Sequence, residues 1–188
     1  MSQSELLRHA IEILDQIQIP YMVTGSLASS LYGEPRSTHD IDMLVELKES
    51  HISELLSVFS APEYYLTESS IRQAIQAKRM FNLLELSTGD KIDFWIVTDD
   101  KFDQTRFQRR IRDEIEGVAL SVSTPEDTIL MKLRWSIFSG GSEKQFQDAL
   151  RVFEVQYGVM DHQYLNHWVE ELKIEELWRR LVAEAEPL

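Results

Sequence analysis

Apolar residues at the start of the chain recur with a helical period. Leu6, Leu7, Ala10, Ile11, Leu14 and Ile17 predict an amphipathic helix over residues 4–17. Pro20 forces an extended backbone before it, and residues 21–24 read as a short strand. Gly25-Ser26 breaks that strand, a short helix is expected over 27–31, and Gly33-Glu34-Pro35 is a turn. Residues 41–46 alternate, with Ile41, Met43 and Val45 on one face and Asp42 and Leu44 on the other, as in a strand. Helices are predicted over 50–59 and around 70–77, the remainder of 61–78 carrying no clear period. Two strands, 79–86 and 91–97, flank Ser87-Thr88-Gly89-Asp90, a hairpin turn by composition. A helix over 103–110, with Asp103 as its cap, and a strand over 119–122 complete this part.

The character changes at Thr124. Thr124-Pro125-Glu126-Asp127 supplies a cap, a proline at the first helical position and acids in the first turn. Gly140-Gly141 ends that helix and Ser142 opens another over 143–156. Two further amphipathic stretches lie near 161–172 and 175–185. The pattern is α/β first and helical afterwards, which divides the chain into a core of residues 1–123 and a C-terminal helical segment of residues 124–188.

Composition narrows the function classes. At 188 residues, 43% hydrophobic and 27% charged, the chain is an ordinary globule with length enough for its own core. It has no cysteine, which excludes disulfides, thiolate metal sites and cysteine nucleophiles. No apolar run approaches the ~20 residues of a membrane span, and no signal peptide is visible, so a cytoplasmic protein without a membrane partner is expected. A net charge of −13 repels polyanions and argues against a sequence-tolerant nucleic-acid coat. Lys101, Arg106, Arg109, Arg110 and Arg112 nevertheless cluster against a single acid, Asp103. They read either as a solvated helix face or as a phosphate-facing rim.

The chemistry concentrates in Thr24-Gly25-Ser26 and Asp40-Ile41-Asp42-Met43. Period-two geometry sets Asp40 and Asp42 on one strand face, about 6–7 Å apart along the backbone. Carboxylates so placed converge on a hard cation, and a pair of cations needs a third acid nearby. Asp93 can supply it from Ile92-Asp93-Phe94-Trp95, where a charge is out of place without compensation. The competing reading is that all three acids are exposed and only solubilise. Clustering would cost about 4 kcal/mol per like-charge pair near 4 Å at a mid-range effective dielectric, a repulsion that cations remove. Gly25 lets the backbone approach a ligand closely, the following helix start offers free N–H groups to anions, and Ser26 adds a hydroxyl.

Together these residues resemble the nucleotidyltransferase superfamily of DNA polymerase beta. Its signature is a hydrophobic residue, Gly-Gly or Gly-Ser, a spacer, Asp-hydrophobic-Asp-hydrophobic and a third acid on a later strand, matched here in order by Thr24-Gly25-Ser26, Asp40-Ile41-Asp42-Met43 and Asp93. Thr24 is the least typical member, and the spacer is at the long end of the superfamily's range. The resemblance implies a mixed-sheet nucleotidyltransferase core and a Gly25-Ser26 turn that holds a nucleoside triphosphate. It also implies Mg2+ (or Mn2+) on Asp40, Asp42 and Asp93, the last helping to activate the attacking group.

A narrower resemblance, over residues 19–150, is to the AbiEii-like toxins and their relatives. It rests on Glu34-Pro35-Arg36-Ser37-Thr38-His39-Asp40-Ile41-Asp42, on Ser123-Thr124-Pro125-Glu126-Asp127 and on Lys132-Leu133-Arg134-Trp135 with Gln147-Asp148. It implies nucleotide-binding roles for Lys132 and Asp148, and partners such as RNA, a tRNA end or an antitoxin-like protein. Gln147 departs from the basic residue usual there.

The acceptor is thus an RNA or a small molecule, or the chain is a non-catalytic relative that binds nucleotide or a partner. Lys132 and Asp148 can equally be surface residues, and Arg36 and Thr38 suit loop roles better than catalysis. His39 beside Asp40 is not by itself a metal site. Trp135, Trp168 and Trp178 are expected in the core. Walker, dinucleotide and nucleophile-elbow motifs are missing.

Overall fold

The computed structural model describes residues 2–36, 38, 40–115 and 117–186. Ser37 and His39, within the block around Asp40, lie outside them. The chain divides into two compact units, Met1–Thr24 with Thr38–Val122, and Gly25–Ser37 with Ser123–Leu188.

The first unit is built on a seven-stranded sheet, all of whose strands lie among the described residues. They are β1 (Tyr21–Thr24), β2 (Asp40–Val45), β3 (Tyr64–Tyr65), β4 (Met80–Glu85), β5 (Lys91–Ile96), β6 (Ile111–Ile115) and β7 (Val118–Val122), in the order β3-β4-β5-β2-β1-β7-β6. The sheet is mixed: β2 runs parallel to β5, β1 parallel to β7, and the remaining neighbours are antiparallel. Ile41, Met43 and Val45 are buried on one face of β2, as the alternation predicts. On the other face Leu44 joins Met22, Val97, Phe107 and Trp95 in an apolar cluster. One end of that face is therefore packed with hydrocarbon, and the carboxylates stand at the other.

The helices of this unit are α1 (Gln3–Gln16), α3 (Ile52–Val58), α4 (Glu68–Ala77) and α5 (Lys101–Gln108). Ser2 and Glu5 form a capping box on α1, whose Leu6, Leu7, Ala10, Ile11 and Leu14 are buried as their period predicts. The expected helix over 50–59 begins as a 3-10 turn at Glu49–His51 before α3. The cap of α5 is Asp100, which accepts from the Phe102 and Asp103 N–H groups at 3.0 and 3.2 Å, and not Asp103. Asp103 is buried and binds Arg106 at 2.8 Å and the Thr98 hydroxyl at 2.6 Å. Of the basic stretch, Arg106 is an interior ion-pair partner and no part of a surface, whereas Lys101 and Arg112 are exposed and Arg109 and Arg110 half-buried. Two strands were not expected. β3 is only two residues long, and β6 reads Ile-Arg-Asp-Glu-Ile on a sheet edge, where solvent on both faces erases the alternation.

The second unit packs α2 (Gly25–Tyr32) with α6 (Pro125–Phe138), α7 (Glu143–Gln156), α8 (His162–Glu171) and α9 (Glu175–Glu184). The Thr124 hydroxyl caps α6, as predicted. Gly33, just after α2, touches α7 so closely that a β-carbon would meet Val152 N at 3.0 Å. Trp168 is buried, but Trp178 is only half-buried, and Trp135 is 36% exposed beside Phe138. The Trp135 expectation fails because the buried side of α6 is taken by Ile129, Leu130 and Leu133.

The hairpin joining β4 to β5 is tied by Glu85. Its carboxylate accepts from Ser87 N (3.0 Å), Thr88 N (2.9 Å) and Thr88 Oγ1 (2.6 Å). These bonds, the Thr88 side chain's first, pull the carboxyl from 4.5 down to about 2. A depressed carboxyl contributes stability that is complete above the unfolded value and lost as pH falls through the folded one. Glu85→Gln should therefore lower the melting temperature at neutral pH. The gap to the parent protein should close between pH 4.5 and about 2, read by calorimetry across that range.

Candidate active site

The pairing of β2 with β5 sets Asp42 directly beside Asp93 and Asp40 beside Lys91. Across the antiparallel neighbours, Thr24 opposes Asp42 and Asn82 opposes Asp93. Residues in register on adjacent strands point to the same side, with strands about 4.8 Å apart. The result is a polar row, Asn82–Asp93–Asp42–Thr24, crossing four strands, with Lys91 and Asp40 in the next row. The three acids read from the sequence share one face of the sheet.

Their charges meet protein donors. Lys91 Nζ stands 3.3 Å from Asp40 Oδ1 and 3.1 Å from Asp93 Oδ2, bridging the two. Asn82 Nδ2 donates to the other oxygen of Asp93, and Trp95 Nε1 donates to Asp42 Oδ1 at 3.3 Å. The hydrogen bond to Asp93, with the charges of Asp93 and Asp40, raises the Lys91 ammonium above its ordinary range. Side-chain exposure falls from 53% at Asp40 to 12% at Asp93, so the row runs from solvent inward. Among the described residues no group of three or more histidine or acid side chains stands arranged to hold a metal ion. Sequence reasoning missed Asn82, Lys91 and Trp95. The last two lie two residues either side of Asp93, so the strand period that located the acids also placed them on this face.

The helical unit carries the other sequence candidates. Gly25 follows Thr24 directly in the chain and takes φ +64°, a left-handed conformation that glycine adopts without steric cost. Ser26 Oγ accepts from Arg36 Nη2 at 2.7 Å. The same guanidinium grips Asp148 with two bonds, Nε to Oδ1 at 3.0 Å and Nη2 to Oδ2 at 2.8 Å. Lys132 Nζ reaches Asp148 Oδ2 at 2.7 Å, its side chain only 5% exposed. Burial pushes the Asp148 carboxyl up, but the hydrogen bonds and charges of Arg36 and Lys132 together outweigh it and hold the carboxyl below the usual range. Lys132 and Asp148 are thus brought together with Ser26 through Arg36, for which a loop role is expected over catalysis. Thr38 does serve its loop, its hydroxyl accepting from Asp40 N at 3.4 Å.

Asp148→Ala removes a carboxylate from a buried ammonium and a guanidinium, and should cost about 3–5 kcal/mol in urea unfolding. The loss should be largest above pH 3.8, the ordinary aspartate value, and should shrink in more acid solution as the parent's carboxylate protonates.

No protein-family model matches the chain, and no curated protein matches its sequence. Solved structures match it in fold. The crystal structure of ANT(2'')-Ia in complex with adenylyl-2''-tobramycin is 12% identical, spans 94% of this chain and 99% of its own, and superposes with a TM-score of 0.59. An antigenic nucleotidyltransferase-like protein from Paracoccidioides brasiliensis is 17% identical over 97% of this chain and 93% of its own, with a TM-score of 0.54. The lincosamide antibiotic adenylyltransferase LnuA, lincomycin-bound, is 10% identical over 82% of this chain and 98% of its own, with a TM-score of 0.51. At such identities the likeness is one of backbone architecture. The chain has the nucleotidyltransferase fold.

Proposed function

We propose that this protein transfers a nucleoside monophosphate from a nucleoside triphosphate to an acceptor hydroxyl, releasing pyrophosphate. The observation that carries this reading is the side-by-side register of Asp42 and Asp93, with Asp40 on the same face. Folding alone gains nothing from assembling three carboxylates on one patch.

The donor set fits a hard divalent cation, magnesium or manganese, which takes oxygen ligands. Asp40, Asp42 and Asp93 would hold it. Lys91 already brings positive charge between two of them, and its side chain is 38% exposed, so it can turn to solvent when a stronger cation competes. When bound, such a cation neutralises the charge developing on the phosphates and aligns them.

The chain's own residues do the rest. Asp93, the more buried of the two acids that Lys91 bridges, takes the proton of the acceptor hydroxyl directly or through water. The hydroxyl oxygen then bonds to the α-phosphorus as the bond to the pyrophosphate oxygen breaks. Asn82 fixes the orientation of the Asp93 carboxylate. Gly25 and Ser26 hold the phosphates at the start of α2, and Arg36, supported by Lys132 and Asp148, fixes the Ser26 hydroxyl for that contact. Two acceptor classes are in question: an RNA or tRNA end, with an antitoxin-like partner chain, and a small hydroxyl compound. The charge of −13 favours the second.

Lys91 also favours a second reading, a relative that binds nucleotide without transferring it, because every acid of the row already has a protein donor. Labelled triphosphates with magnesium or manganese, offered to total RNA and to a small-molecule pool, separate the two. Transfer by the parent protein, with Asp42→Asn slower by about a hundredfold or more at an unchanged or raised melting temperature, supports the enzyme. Saturable binding without transfer selects the second reading, and full transfer by Asp42→Asn overturns the roles assigned to the acids.

A further inference from the structure

The acid row has a cavity beside it that the transfer reading leaves unexplained. It measures about 820 Å³ and lies along α4 and β4, within the sheet unit. That is the size of a site for one small molecule. Two of its lining residues, Asn82 and Lys91, are the two that donate to Asp93. A molecule seated there is therefore separated from the proton-accepting carboxylate by single side chains.

The lining chemistry is selective. No carboxylate lines the cavity among the described residues, although the chain as a whole carries 32 acids against 19 lysines and arginines. Apart from Lys91, which Asp40 and Asp93 engage, the polar groups on its wall are neutral amides and hydroxyls, among them Gln73 and Gln76 of α4, which suit a hydroxyl-bearing ligand. The cation Arg79 stands among them. Its neighbours are engaged, Arg72 with Glu68 at 2.7 Å and Lys78 with Asp99 at 3.6 Å. The Arg79 side chain is exposed and makes no hydrogen bond or ion pair among the described residues. Tyr65, 60% exposed, adds an aromatic face to the wall.

We propose that this cavity is the acceptor site and that it takes a small hydroxylated molecule bearing one oxyanion, a phosphate monoester or a carboxylate, held by Arg79. This rests on the transfer reading, since it is Asp93 that makes the neighbouring cavity an acceptor site. Polycationic amino sugars are disfavoured, because their ammonium groups would find the Arg79 guanidinium and the Lys91 ammonium and no carboxylate on the wall. A long polyanion is disfavoured by the charge of the whole chain.

The test is an NMR titration of the full chain, isotope-labelled, with ribose, ribose 5-phosphate, ribonate, tobramycin and a short single-stranded RNA. Ribose 5-phosphate or ribonate should perturb amides of residues 65–84 and bind about tenfold more tightly than ribose. Arg79→Gln should erase most of that advantage, its spectrum showing at the same time that the fold is intact. Equal binding of ribose, preference for tobramycin, tighter binding of RNA, perturbation elsewhere only, no binding of either anion, or an undiminished advantage in Arg79→Gln overturns the proposal. A separate titration with magnesium and ATP, followed at Asp40, Asp42 and Asp93, reports on the transfer reading itself. Its failure is therefore distinguishable from failure of the acceptor site.

Discussion

The parallel ladder between β2 and β5 is the constraint on which the rest depends. Side chains on a strand alternate with period two, so a slip of one residue would send Asp93 to the hydrophobic face and bring Ile92 or Phe94 beside Asp42. The burial of Ile41, Met43, Ile92 and Phe94 forbids that slip. The apolar face thus holds the polar face in register, and the acid row is a by-product of correct core packing on the reverse of the same strands. Phe81 stacked on Phe94, with ring centres 5.1 Å apart, extends this locking to β4 and hence to Asn82.

Electrostatics then shapes what the register assembles. Three carboxylates on one patch repel one another, and in this structure the relief comes from the same strand, through Lys91. A residue two positions before Asp93 must lie on its face, so the counter-charge is built into the strand's own period. The helical unit solves a similar problem differently: Asp148 is buried, and two cations from separate parts of the chain converge on it. The first arrangement keeps its cation partly solvated and exchangeable; the second locks one of its cations away from water. That contrast suits the proposed exchange of a cation at the patch, and a brace that holds a turn in the helical unit.

Much of the architecture was legible before any coordinates. The period of α1, the alternation of β2, the Ser87–Asp90 turn and the Thr124-Pro125 cap all act locally, and local rules read them. β6 was not legible, because an edge strand with both faces wet carries no hydrophobic pattern. The cap of α5 was misplaced because two acids, Asp100 and Asp103, both suit a helix start, and only burial of the second decides between them. At the site, the three acids were legible because charges inside apolar strands are anomalous. Arg36 was not, since an arginine in a loop is unremarkable until its partners Ser26 and Asp148 are seen to lie within reach. Long-range partnership of that kind leaves no periodic trace.

The two rims of the sheet bear on how the protein behaves in company. One rim is a two-residue strand and the other is studded with Arg112, Asp113 and Glu114. Charge disfavours an incoming extended chain at the β6 edge, while on the other side β3 covers only Leu84 and Glu85 of β4. An extended chain that lengthened the ladder would therefore meet less resistance along residues 80–83 of β4 than along β6.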